Sequence, residues 1–216
     1  MIKYFACLCL LFSGLQLVGA QPKLKTMADV PGFKAHLLTS TQKAKSMECD
    51  FVQKKFLEVL TEPVISKGHF CFKRENLIRW EYISKDPKSN YLIVINGDKI
   101  LLKKAAEKAN VIDTKSNKLF KELTDMMMSC FSGNINAIEK KYTIQYFEDE
   151  KLYMTRLVPI DKNAGAYLKN IDMYFDKNDM TISRLIMAEP SGDYTEYNFT
   201  NKKLNMPISD EQFKVN

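Results

Sequence analysis

The most constraining feature of the sequence is a long series of short stretches in which apolar and polar residues alternate. This period of two is typical of strands with one buried face, and turn residues such as Pro63, Asn96-Gly97 and Lys177-Asn178-Asp179 separate the stretches. Asn-Gly is a strong hairpin signal because both turn positions need a positive φ. The predicted strands, about ten in number, are Phe51–Leu60, Val64–Phe72, Leu77–Tyr82, Tyr91–Ile95, Asp98–Leu102, Tyr142–Phe147, Leu152–Val158, Leu168–Phe175, Thr181–Met187 and Tyr194–Thr200. Consecutive hairpins of this kind predict an antiparallel meander that curls strongly or closes to bury one face.

Two stretches have helical periodicity instead. From Asp29 to Met47, Asp29 can cap a helix and Pro31 suits its first turn. A polar loop is predicted from Lys103 to Ser116, and a further short helical turn between Asn134 and Lys140. The second helix precedes Gly133, and its apolar face carries Leu119, Phe120, Leu123, Met126, Met127, Cys130 and Phe131.

Two helices are too few to cover a sheet of this size, so we expect them to lie over the mouth of a half-closed barrel. Such an arrangement leaves an apolar cavity between sheet and helices, where a hydrophobic ligand would bind. The predicted fold class is therefore α+β, mainly β. It is an unclosed antiparallel β-barrel, or strongly curved half-barrel, of about ten to eleven strands with two to three lid helices.

The first 20 residues have the parts of a secretory signal peptide. Lys3 is the basic residue, Tyr4–Phe12 is an apolar run too short to span a bilayer, and Val18-Gly19-Ala20 supplies small residues for cleavage. We expect export and removal of residues 1–20, which leaves residues 21–216 as one domain. The cysteines that remain, Cys49, Cys71 and Cys130, allow at most one disulfide, and we expect Cys49 and Cys71 to be free thiols.

The formal net charge of +6 is spread along the whole chain. Nucleic-acid binding requires a concentrated basic stripe, which is absent from the sequence, so no nucleic-acid partner is expected. A mild positive excess suits weak attraction to anionic membrane surfaces.

The stretch FKRENLIRWEY, residues 72–82, contains two arginines, Arg74 and Arg79, in sequence that is otherwise typical of strands. Strand alternation puts Arg74 on the same face as Phe72, opposite the face of Cys71, and puts Arg79 on the solvated face of the next strand. An arginine on an apolar face is costly unless its donors are occupied, for example by helix-end or loop carbonyls. Alternation alone leaves open a second interpretation, in which Arg74 extends outward at the rim of the sheet.

Residues 73–82, KRENLIRWEY, resemble a signature of the periplasmic outer-membrane lipoprotein carrier family, LolA, in which Lys-Arg-Pro-Asn-Leu-aromatic is followed by Trp. Other likenesses follow in the family's order along nearly all of the mature chain: Phe51-Val52-Gln53-Lys54, Ser66-Lys67-Gly68-His69-Phe70, Asn96-Gly97-Asp98-Lys99, and Tyr194–Asn201 followed by Leu204-Asn205 and Phe213. The sequence departs from the pattern at Glu75, where proline is usual, and at Ile78, where an aromatic residue is common.

The resemblance implies an unclosed barrel with a helical lid over a hydrophobic cavity, located in the periplasm. It also implies carriage of the acyl chains of triacylated lipoproteins from an inner-membrane ABC-type releasing complex to an outer-membrane acceptor such as LolB. By motif position, Arg74 is the latch that bonds the lid when the carrier is empty. The predicted acyl-chain cavity is formed by Phe51, Phe70, Phe72, Ile78, Trp80 and Tyr82, and the predicted lid-helix face by Leu119, Leu123, Met126, Met127 and Phe131.

Two other functions compete with this one. An exported hydrolase is disfavoured because the two histidines, His36 and His69, accompany no Gly-x-Ser-x-Gly elbow, and because Cys71 and His69 lack a third supporting group. The same half-barrel could instead bind another amphiphile, such as a glycolipid. No catalytic residue, cofactor or metal site is predicted, and the protein is expected to be a monomer.

Overall fold

The computed structural model describes residues 24–116, 121, 124–126, 128–129, 131 and 134–215. The predicted signal peptide and the predicted lid residues Leu119, Leu123 and Met127 lie outside the described residues. None of the helices in the described part is long and apolar enough to cross a membrane.

One antiparallel sheet of twelve strands dominates the described structure, in the order β1-β8-β9-β10-β11-β12-β2-β3-β4-β5-β6-β7. The sheet is not closed, because β1 and β7 each have one unpaired edge. The strands are β1 Lys25–Thr26, β2 Ser46–Phe56, β3 Val64–Lys73, β4 Leu77–Ile83, β5 Tyr91–Asn96, β6 Lys99–Lys104, β7 Asn110–Asp113, β8 Tyr142–Glu148, β9 Leu152–Pro159, β10 Asn170–Asp176, β11 Ile182–Ala188 and β12 Tyr194–Leu204. The predicted unclosed antiparallel fold is confirmed.

Most strand ends differ from the prediction by a few residues, and β2, β7 and β1 show why. β2 begins at Ser46 instead of Phe51, because residues 46–50 pair with the end of β3. β7 lies within the predicted loop, where four residues pair with β6, and β1 extends the other edge by pairing with β8. β1 has two residues and β7 has four, too few to show an alternation of apolar and polar residues, so the sequence pattern did not predict these edge strands.

Three helical segments are present among the described residues. Helix α1, Val30–Lys43, begins at its cap Asp29, whose side chain accepts a hydrogen bond from the Gly32 N–H. It ends before the predicted Met47 because Met47 already pairs with Phe72 in the sheet. The described residues between positions 121 and 131 are helical and are called α2, and α3, Lys162–Gly165, is a single unpredicted turn. We use the term lid for α1 and α2 together.

Short 3₁₀ turns complete the connections, at Pro87–Ser89, Thr114–Ser116, Ile135–Ile138 and Asp210–Phe213. The third of these coincides with the helical turn that the sequence predicts after α2.

The main core lies between the inner face of the sheet and the lid. Phe33 of α1 is buried against Tyr153 and Phe175, with ring centroids 4.9 and 5.8 Å away. Leu37, one turn further along α1, is fully buried in the same cluster. Burial of apolar surface on this scale is what holds short helices on a sheet, since their intrinsic propensity alone is marginal.

A second, smaller core lies on the outer face of β3, β5 and β6. Ile208 and Phe213 of the C-terminal segment cover Cys71, Val94 and Leu101 there. The run Leu92-Ile93-Val94-Ile95 is apolar at every position because β5 is covered on both faces in this region.

Candidate functional site

The six predicted cavity residues lie together on the inner face of β2, β3 and β4. Phe51, Phe70, Phe72, Ile78 and Trp80 are buried, and Tyr82 is half-buried. The intervening residues of β3 and β4 point to the outer face, where Cys71 belongs to the second core. The predicted alternation therefore describes both strands correctly.

Gly68 leaves room for aromatic side chains to pack closely on the inner face of the sheet. We call the rings of Phe51, Phe70, Trp80 and Tyr82 the aromatic floor. A Cβ at Gly68 would lie 1.8 Å from the Glu81 carbonyl oxygen and 2.7 Å from Cζ of Phe51. Phe51 therefore lies directly over the Gly68 backbone, where it meets Trp80 and Tyr82 edge-on at 5.6 and 5.1 Å between centroids. A larger residue at position 68 would displace both the neighbouring strand and the ring.

Phe131 of α2 fills the space above this floor. Its ring stacks on Phe70 at 4.4 Å with an interplanar angle of 29°, and its centroid lies 6.5 Å from that of Trp80. Met126, one of the predicted lid residues, is buried in the same cluster. Of the five predicted lid-face residues, these two are described, and both belong to the main core.

One cavity beneath the lid is small. About 30 Å³ lies between the end of α1 and a set of apolar side chains that includes Phe72, Phe131, Phe175 and Met180. This is too little for an acyl chain. Among the described residues, the protein's own aromatic side chains thus lie over the predicted cavity residues, whose role in binding acyl chains stays a prediction.

Arg74 connects the β3–β4 turn to the end of α1. Its Nε donates to the Ala44 carbonyl oxygen at 3.0 Å, and its Nη2 donates to the Thr41 carbonyl oxygen at 2.9 Å. These carbonyls lie in and just after the last turn of α1, where carbonyls lack their usual i+4 donors and where positive charge is favoured by the helix dipole; the Thr41 carbonyl also accepts from the Ala44 N–H at 3.1 Å. The backbone N–H of Arg74 also donates to the Lys45 carbonyl oxygen at 3.0 Å.

Arg74 is nevertheless exposed at the rim of the sheet. The second of the two interpretations therefore describes its position, because the chain turns away immediately after β3, and its donors are occupied by carbonyls at the end of a helix. Glu75 and Asn76 have φ values of 73° and 65°. Proline, whose ring holds φ near −65°, cannot adopt the conformation of Glu75, which accounts for the departure from the family pattern at this position.

The inner face also contains polar atoms. The Tyr82 and Tyr197 hydroxyls hydrogen-bond to each other at 3.1 Å, and burial raises the pKa of both phenols. The Trp80 Nε1–H is enclosed and has no hydrogen-bond partner among the described residues. Sequence analysis did not assign Tyr197 and Phe199 to the site, although their alternation along β12 is the signal that could have placed them beside Trp80.

Cys49 and Cys71 are the cysteines among the described residues, and both are buried. Cys49 and Cys71 are free thiols on opposite faces of the sheet, as members of the two separate cores. Burial raises the pKa of Cys49 to about 12 and that of Cys71 to about 11, so both are poor nucleophiles at neutral pH. His69 forms an ion pair with Asp50. Among the described residues, no group of three or more His, Cys, Asp or Glu side chains could hold a metal ion.

The fold and the site together define an open antiparallel β-barrel whose apolar inner face is covered by helices. A family model described as outer membrane lipoprotein carrier protein LolA matches residues 42–216. The chain belongs to this family. A search of curated proteins gave no match.

Solved structures match this chain at low sequence identity. A conserved protein from Thermus thermophilus has a TM-score of 0.50 and 9% identity, over 83% of this chain and 91% of that one. A LolA superfamily protein from Nitrosomonas europaea has a TM-score of 0.45 and 11% identity, over 84% and 97%. The lipoprotein LppX from Mycobacterium tuberculosis has a TM-score of 0.44 and 10% identity, over 84% and 99%.

Proposed function

We propose that this protein is a periplasmic chaperone that carries the acyl chains of lipoproteins from the inner to the outer membrane. Membership of the LolA family supports a lipid- or lipoprotein-binding carrier at the level of the family. The observation that carries the finer proposal is the lid, which is bonded to the sheet by Arg74 and fills an apolar interior with Phe131. Binding and release require no covalent chemistry, so no catalytic residue is invoked.

In this proposal the structure corresponds to the empty, closed carrier. Acyl chains enter when the lid moves away from the sheet, and they replace Phe131 and Met126 over the aromatic floor. Each buried CH₂ contributes about 0.8 kcal/mol, so a long acyl chain bound to a preformed cavity would be held too tightly for transfer. The cost of breaking the Arg74 hydrogen bonds and of withdrawing Phe131 lowers the net affinity, which makes delivery possible.

The proposed donor is an inner-membrane ABC-type lipoprotein-releasing complex, and the proposed acceptor is an outer-membrane lipoprotein such as LolB. The proposed signal peptide at residues 1–20 would direct the chain to the periplasm, where it would act as a monomer.

Native mass spectrometry of protein purified without detergent from the periplasmic fraction tests this function. A bound triacylated polypeptide is the expected result. A bound glycolipid or fatty acid would keep the carrier mechanism and change the cargo. Protein that carries no ligand and that also fails to bind a fluorescent acyl probe would contradict the proposal.

A further inference from the structure

The interior of the half-barrel contains a hydrogen-bond donor that has no acceptor. Trp80 is only 5% exposed, and its Nε1–H has no hydrogen-bond partner among the described residues. Buried polar groups in proteins are nearly always hydrogen-bonded, and an indole N–H can act only as a donor. In the closed, empty state the Trp80 N–H can therefore donate a hydrogen bond, but the described residues offer it no acceptor.

The neighbours of Trp80 determine when this donor becomes accessible. Its ring lies among aromatic rings of the sheet, with Phe70 and Tyr197 both at 5.0 Å between centroids. Phe131 is the aromatic neighbour that comes from the lid. A ligand that replaces Phe131 would therefore lie next to the indole ring of Trp80.

Other polar atoms of the inner face are less suited to select a ligand. The hydroxyls of Tyr82 and Tyr197 already bond to each other. The enclosed Thr155 hydroxyl also has no partner among the described residues. Tyr146 lies beneath Lys34 and contacts Phe33 of α1, away from Phe131. A hydroxyl can also rotate and accept, whereas the direction of the indole N–H is fixed by its ring.

Building on the proposed function, we propose that the Trp80 Nε1–H donates a hydrogen bond to the carbonyl oxygen of the ester or amide that joins an acyl chain to its cargo. The hydrocarbon chain itself contains no acceptor, and the carbonyl is the strong acceptor that acylated cargo brings into an apolar interior. Because the bond forms only in the loaded state, it favours the loaded carrier over the empty one and selects acylated over merely alkylated ligands.

The test compares two lipids of equal chain length, a diacylglycerol ester and the dialkyl ether analogue that lacks the carbonyls. Each displaces a fluorescent acyl probe from the full-length mature protein. The wild type is expected to bind the ester about 3- to 10-fold more tightly, the usual effect of one neutral hydrogen bond. Trp80→Phe is expected to bind both lipids with equal affinity, whatever its absolute affinity for lipid. Equal binding by the wild type, or an ester preference that persists in Trp80→Phe, overturns the inference.

One control separates this result from other causes. Tyr82→Phe, at a second residue of the predicted cavity, tests the tyrosine pair: its ratio of ester to ether affinity should equal that of the wild type whatever its absolute affinity, and loss of the ratio would assign the contact to the tyrosine pair instead. Because phenylalanine is smaller than the buried tryptophan, Trp80→Phe is expected to lose some stability to denaturant, so the test depends on the ratio of the two affinities and not on stability. If neither lipid displaces the probe, the proposed function fails as well; if both displace it equally, this inference alone fails.

Discussion

The ring of Phe131 stacks on the ring of Phe70, with centroids 4.4 Å apart, so that a side chain of the lid occupies the interior of the half-barrel. Under the proposed function, this contact would tie lid closure to the absence of a ligand, because an acyl chain and Phe131 cannot occupy the same space. It also predicts that stability and ligand affinity change in opposite directions when Phe131 is shortened.

Phe131→Ala should lower the free energy of unfolding by about 2 kcal/mol, less than for a fully buried phenylalanine because Phe131 is half-buried. The same change should raise the affinity for a fluorescent acyl probe, since the ligand no longer has to displace the ring. Chemical denaturation and probe titration measure the two effects. Phe131→Leu, which keeps most of the volume, should lie between the wild type and the alanine variant. Reduced probe affinity in Phe131→Ala would show that the ring binds the ligand instead of competing with it.

Arg74→Leu should loosen the end of α1 by removing two hydrogen bonds, at a cost of about 1 kcal/mol because the site is exposed. Faster amide hydrogen exchange in α1 would report this change directly. In a transfer assay the variant should retain bound lipid but deliver it poorly, since the closed state that competes with the ligand is weakened. Arg79→Leu is the matched control, because Arg79 donates to Glu81 and to the Gln212 carbonyl oxygen on the outer face. Normal transfer by Arg74→Leu would rule out the latch.

Gly68→Ala should be strongly destabilising, by about 2 kcal/mol or more, because the added Cβ would lie 1.8 Å from the Glu81 carbonyl oxygen. The neighbouring strand cannot yield without disturbing Phe51 and the pairing of β3 with β4. A lower denaturation midpoint, measured with the same protein concentration, tests this. Gly165→Ala serves as the control, since no atom lies within 4 Å of its added Cβ; an equal loss in both variants would contradict the steric argument.

The thiols of Cys49 and Cys71 should react slowly with a disulfide reagent at pH 8. The pKa of Cys49 is about 12 and that of Cys71 about 11. At pH 8, roughly one Cys49 side chain in ten thousand and one Cys71 side chain in a thousand is therefore a thiolate. The experiment requires a Cys130→Ser background, and rates in denaturant provide the reference for unfolded thiols. Rapid reaction of the native protein would contradict the burial of both groups.

The same raised pKa values predict how stability depends on pH. Because the folded pKa values exceed the unfolded value of about 8.5, their contribution is fully present below pH 8.5 and is lost as the pH rises toward 11 to 12. A Cys49→Ala, Cys71→Ala double variant should show a weaker fall in unfolding free energy over this range. An identical pH profile for both proteins would contradict the linkage.

Most of the fold could be predicted from local patterns. Alternation along β3 and β4 correctly assigned Phe70, Phe72, Ile78 and Trp80 to one face, because a strand places successive side chains on opposite sides. The short edge strands β1 and β7 could not be predicted in this way, since two and four residues are too few to show a period. The predicted end of α1 is too late in the sequence because Met47 pairs with Phe72 of β3. This long-range pairing, and not the local helical pattern, determines where the helix ends.

Several contacts of the candidate site could not be predicted from the pattern of short stretches of sequence. The sequence by itself determined that the chain forms an antiparallel sheet with one aromatic face and few helices, because these properties follow from the period and composition of short stretches. Only the tertiary structure decided that Arg74 bonds the end of α1, that Phe131 fills the interior, and that the C-terminal segment covers the outer face. These contacts join residues 30 or more positions apart, and the choice of partner depends on how the whole sheet curves.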